Sequence, residues 1–246
     1  MSARTNPPID STSRERMLAR LRAAPVAHAA IDDAARLSQR IDAHYGSRHE
    51  RQSTPPLDLP EAFQTMLEAA RAQVWRADAR SWPALLAQQL HESGIRRLLM
   101  DPARAEGAAL SRALPPSVEA ISYARPLEQW KTELFDTVDA GFTVARSGIA
   151  ATGTVILAPD AGTPRTVSLV PPLHIALVYA DALHRDLHAA ARAERWSEGM
   201  PTNLVLVSGP SKTSDIQQTL AYGAHGPSRL WVFLVEPDDT AAGATS

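Results

Sequence analysis

The sequence has no cysteine. Disulfides, thiolate metal sites, a cysteine nucleophile and iron–sulfur ligation by this chain are therefore excluded. Aromatic residues make up only 5%. Ala, Leu and Val dominate the apolar share, which fits helices laid on a buried sheet. No apolar run reaches the ~18–20 residues needed to cross a bilayer. The first residues, MSARTNPPIDSTSRERM, have no apolar stretch of the secretory kind, and a soluble cytoplasmic protein is the expectation. The formal charge of −2 provides no basic field, so nucleic acid is not an expected partner. What remains is a chain of 246 residues, enough for one or two domains. A chain of that size buries roughly 70–75% of its unfolded surface without covalent staples.

Thr12 to Glu15 has capping-box spacing, followed by Met17, Leu18 and Leu21 as a narrow apolar stripe. A second helical stretch, AHAAIDDAARLSQRIDAHY, follows. Both are poor in large apolar residues, so residues 1–57 read as a helical arm ending in a linker, with Pro, Ser and Gly clustered over Gly46–Pro60. Arg14, Arg16, Arg20 and Arg22 read as a solvated face. The body, 58–236, opens with Asp58, Pro60 and Glu61 as a helix start. Phe63, Met66, Leu67, Ala70 and Val74 then mark one helical face. Six strands are expected at 96–100, 118–123, 153–158, 174–180, 203–208 and 230–236. Several are apolar almost throughout, which predicts an α/β fold: a mostly parallel sheet covered by helices on both faces. DALHRDLHAAARAERW reads as a crossover helix. Residues 237–246 read as a disordered tail.

Three stretches carry candidate chemistry. In AATGTVILAPDAGTPRTVSLVPPLHIALV, Thr152, Gly153 and Thr154 enter a strand, Arg165 and Ser168 follow a turn, and His174 opens the next strand. This reads either as a polar pocket at strand ends or as plain turns with a capping histidine. In SGPSKTSDIQQTLAYGAHGP, a short helix is expected between two loops. The left loop, with Gly209, Ser211, Lys212 and Thr213, leaves the carboxyl end of a strand, where open α/β sheets collect ligands. The spacing of a Walker loop is absent. Ser214, Asp215 and Gln217 equally satisfy that helix start by themselves. The right loop holds His225 and Gly226, and is expected ~12–14 Å away along the helix. His184 and His188 are four apart, but no third ligand is near, so no metal site is expected.

The runs GIAATGTVIL…RTVSLVPPLHIALV and SGPSKTSDIQQTLAYGAHGPSRLWVFLV resemble the LUD-domain family of lactate utilisation protein C, over about Asp58 to Glu236. The resemblance implies a fold of the NagB/RpiA/CoA-transferase class. It implies an accessory or assembly subunit of a system oxidising L-lactate to pyruvate. This chain would bind no cofactor of its own, and iron–sulfur clusters would sit in partner subunits. An independent enzyme or binding protein for a CoA thioester, folate or sugar phosphate is the alternative. The resemblance marks Thr152, Gly153, Thr154, Arg165, Pro171 and His174. It also marks Gly209, Pro210, Ser211, Lys212, Thr213, Asp215, Ile216, His225, Gly226 and Pro227, as a ligand-binding or interaction surface open to a small anion. Ala151 stands where the family commonly has a carboxylate, which favours binding or assembly over catalysis.

Overall fold

A computed structural model describes residues 15, 17, 18, 30–52, 57–214 and 220–237. The chain divides into two units, 1–54 and 55–246.

In the first unit, Glu15, Met17 and Leu18 are helical, and α1 spans Ala30–Gln52. Leu37 and Ile41 on it are exposed. The helix runs six residues past Gly46, into the stretch read as linker. One glycine costs a helix only about 1 kcal/mol, and Arg48, Glu50, Arg51 and Gln52 are good helix formers. Thr12, Leu21 and the four arginines of the expected solvated face lie outside the described residues.

The second unit opens at α2 (Leu59–Ala69). Asp58 accepts from Glu61 N at 3.0 Å, and Pro60 sits in the first turn, as the cap spacing predicts. Phe63 and Leu67 are its buried face. The helix stops before Val74, contrary to the helical period read through that residue. Arg71 turns the chain with φ 69°, and β1 (Gln73–Asp78) begins. Val74 and Trp75 favour a strand, and Trp75 stacks on Phe233 at 5.0 Å.

Six parallel strands form the main sheet in the order β1, β12 (Arg229–Glu236), β7 (Leu173–Tyr179), β4 (Ala140–Val144), β2 (Arg97–Leu99), β3 (Glu119–Ile121). The central strands bury both faces, which is why they read as continuous apolar runs. Trp231, Phe233 and Val235 pack with Trp82, Leu86 and Leu90 of α3 (Trp82–Glu92) and Leu110 of α4 (Ala105–Ala113). Alternate residues Leu230, Val232 and Leu234 pack the other way, against Phe63 and Leu67. α5 (Lys131–Thr137) and α6 (Arg165–Leu169) cover that second face near β2, through Leu134 and Val167.

The second face has a cover beyond its helices. A four-stranded sheet lies on it, in the order β8 (Leu183–His184), β5 (Ser147–Ile149), β6 (Thr154–Leu157), β9 (Val205–Val207). Val155, Leu157 and Val205 join the core below it. Two of the six expected strands, β6 and β9, therefore belong to this second sheet, and pair antiparallel. The expected crossover helix is broken into β8 and the short α7 (Leu187–Ala193), which Asp186 caps through Ala189 N at 2.8 Å. His184 and His188 thus sit on different elements. Among the described residues no group of three or more His, Asp or Glu is placed to hold a metal, and no helix is long and apolar enough to cross a membrane.

Candidate functional site

The stretch SGPSKTSDIQQTLAYGAHGP departs from the helix expected in it. Lys212–Ser214 form β10 and Leu220–Tyr222 form β11, paired antiparallel with Lys212 opposite Tyr222. No helix begins at Ser214. Asp215, Ile216 and Gln217 lie outside the described residues. The hairpin also removes the expected separation of the two loops. Ser211 N donates to Pro227 O at 2.8 Å, and Gly223 N donates to Ser211 O at 3.0 Å. The loops touch because paired strands return the chain to its start, whereas a helix carries it away.

Together the loops wall a cavity of about 270 Å³. Its remaining walls come from α6, β7, β9 and β12. It lies between the main sheet and the second sheet, beside the amino ends of β7 and β12: His174 and Leu230 are each the second residue of their strand. This corrects the expectation of a site at the carboxyl end of an open parallel sheet. The left loop does leave the end of β9, but β9 belongs to the second sheet. The carboxyl ends of β12 and β7 carry paired groups instead. Arg76 pairs with Glu236, and Tyr179 OH donates to Glu106 at 3.1 Å.

His174 is 1% exposed. Its Nε2 lies 2.8 Å from Thr143 Oγ1, while its Nδ1 is buried without a hydrogen-bond partner among the described residues. Burial lowers the imidazole to about 4, so it is neutral near pH 7. Leaving a buried polar atom unpaired costs about 1–3 kcal/mol, and His174 lines the cavity. Arg165 and His225 also line it and are exposed. Ser168, Ser208 and Ser211 add hydroxyls, and Val205, Val207 and Leu230 add an apolar wall. None of the described lining residues is acidic. No described carboxylate forms an ion pair with Arg165. The cavity therefore offers a cationic rim, a neutral imidazole and hydroxyl groups, a set suited to an anion.

The sequence-predicted residues divide clearly. Arg165, His174, Gly209, Ser211, His225 and Gly226 line the cavity, with Pro210 and Pro227. Thr152, Gly153, Thr154, Lys212 and Thr213 do not line it. Thr154 reaches it indirectly: Thr152 Oγ1 lies 2.6 Å from Thr154 Oγ1, which lies 2.7 Å from Ser208 Oγ. Gly153 has φ 57°, and a Cβ there would sit 2.7 Å from Leu67 N. Its small size serves packing against α2 rather than access for a ligand. Ala151 is exposed, with its N–H donating to Arg185 O. Gly209, at φ 145°, places the left loop against the end of α2, where a Cβ would lie 3.0 Å from Ala70 O. Ser208 and the β9 wall are not singled out by the sequence. Only the apolar run in NLVLVS, read as a strand, hints at them.

A parallel sheet covered by helices on one face and by helices and a small sheet on the other, with a cavity between the sheets that has no acid among its described lining residues, defines an α/β domain with a candidate small-ligand site. The LUD domain model matches residues 60–235, and the chain belongs to that family. It is similar to an uncharacterised Neisseria meningitidis protein, NMB1437, at 36% identity, over 92% of this chain and 95% of that one. It is also similar to proteins named lactate utilization protein C. The one from Halalkalibacterium halodurans is 35% identical over 42% of this chain and 47% of its own length. The one from Deinococcus radiodurans is 39% identical over 41% and 48%. The matches thus span about half the length of those relatives. A solved structure of a DUF162 family protein from Deinococcus radiodurans superposes with a TM-score of 0.54 at 27% identity, covering 73% of this chain and 99% of that one.

Proposed function

We propose that this chain is an accessory subunit in the oxidation of L-lactate to pyruvate, acting by binding and assembly in the cytoplasm. The observation that carries the reading is its likeness to lactate utilization protein C, at 35% identity over 111 residues in one case. The lack of cysteine supports a role without redox centres. Removing two electrons from lactate requires an acceptor, and a chain without thiolates holds no cysteine-ligated cluster. The electrons would pass to iron–sulfur partner subunits, with this chain arranging or regulating them. The test is deletion of its gene. Growth on L-lactate should fail, and tagged protein should co-purify with iron–sulfur proteins. Normal growth together with no association contradicts the proposal.

A second reading is favoured by the size of the cavity. About 270 Å³ is roughly nine waters' worth of space, more than a three-carbon acid fills. A sugar phosphate, or the part of a folate or CoA thioester that enters, would occupy more of that room, in an independent enzyme or binding protein. Melting shifts across these three compound classes test it, with Arg165→Gln expected to abolish any shift found. A flat screen counts against it.

A further inference from the structure

We propose that the cavity between the two sheets is a binding site for an organic anion that carries a hydroxyl apart from its charged group. The charge half of the argument is the rim. Arg165 is exposed and has no described carboxylate partner, His225 stands on the right loop, and no acid is among the described lining residues. An anion entering there meets no like charge among the described lining residues. The second half is His174. Its ring is fixed by Nε2 to Thr143 at 2.8 Å, and its Nδ1 has no described partner. A buried nitrogen in that condition calls for a group from outside the described residues. A carboxylate oxygen only accepts, so it satisfies only one tautomer of the ring. A hydroxyl donates or accepts and satisfies either. The apolar wall of Val205, Val207 and Leu230 suits a short alkyl part. A 2-hydroxy acid is the smallest compound with all three features, and its choice as the probe rests on the lactate reading.

The experiment is calorimetric titration of the full chain with L-lactate, propionate, lactamide and inorganic phosphate. L-lactate should bind at least several-fold more tightly than propionate, which has the same charge and no hydroxyl. Lactamide, without the charge, should bind at least tenfold more weakly than L-lactate. Arg165→Gln, a surface change, should weaken L-lactate binding tenfold or more. His174→Phe combined with Thr143→Val removes both partners of the inner hydrogen bond at once. It should bring L-lactate and propionate to the same affinity. Equal affinities for L-lactate and propionate in the wild type, binding of phosphate alone, or an Arg165→Gln protein that binds normally would each overturn the site. Should the double variant not fold, the wild-type comparison and Arg165→Gln decide. A wild type that binds none of these probes while its gene is needed for growth on L-lactate would sink the site and leave the accessory role standing. Binding without a growth defect does the reverse.

Discussion

Two buried residues fix the shape of the region around the cavity. Gly153 holds a positive φ of 57° under the backbone of α2. Gly153→Ala adds both dihedral strain and a contact with Leu67 N, and should cost about 1–3 kcal/mol, read as a lower urea midpoint with the slope unchanged. His174 makes stability depend on pH. Burial lowers its folded-state value to about 4 against 6.5 in the unfolded chain. Above pH 6.5 both states are neutral and the residue has no effect. As pH falls from 6.5 to about 4, the unfolded chain binds a proton that the folded chain refuses, and stability declines. The full loss is about 3 kcal/mol. Urea titrations at steps between pH 7 and pH 4 should show this slope in the wild type. The Thr143→Val, His174→Phe double variant should lose that component.

The elements show how much the sequence discloses. The cap at Asp58 is legible because its partner, Glu61 N, is three residues away. Asp58→Ala should lower stability by about 0.5–2 kcal/mol, seen as a drop in Tm. β7 and β12 are legible as apolar runs because they are covered on both faces. β1 and β4 escape a sequence reading for different reasons. Val74 fits a helical period as well as a strand one, and only the turn at Arg71 separates them. β4 reads AGFTV. Its glycine has no side chain because Val167 O would lie 2.0 Å from a Cβ there, a reason visible only once α6 is in place. The hairpin β10–β11 reads as a helix because Ser214 and Gln217 have capping-box spacing, which by itself does not fix a helix. Its strands pair Lys212 with Tyr222 and Ser214 with Leu220, and no Gly or Pro turn signal stands between them to announce a hairpin. Gly223 has φ 80°, and a Cβ added there would lie only 2.9 Å from Ser228 Cβ. Gly223→Ala should therefore loosen the right loop, and faster amide exchange at Ser211 N–H would report it.

At the scale of the molecule, motifs that are far apart in sequence meet at one place. His174 and Arg165 come from the first, and Ser211 and His225 from the second. The sequence supplies these names but not their separation from Thr152 and Gly153, which lead into β6 of the second sheet, or from Lys212 and Thr213, which lie on the hairpin strand β10. That sheet, laid over the amino ends of β7 and β12, creates the cavity where a plain open sheet would have a solvent-facing edge. If the cavity underlies the role in lactate oxidation, the two must fail together. The most direct measurement is growth on L-lactate of a strain lacking this gene, complemented by the wild type or by Arg165→Gln at matched protein levels. The wild type should restore growth and the variant should not. Full growth with Arg165→Gln would contradict the link between the cavity and the function.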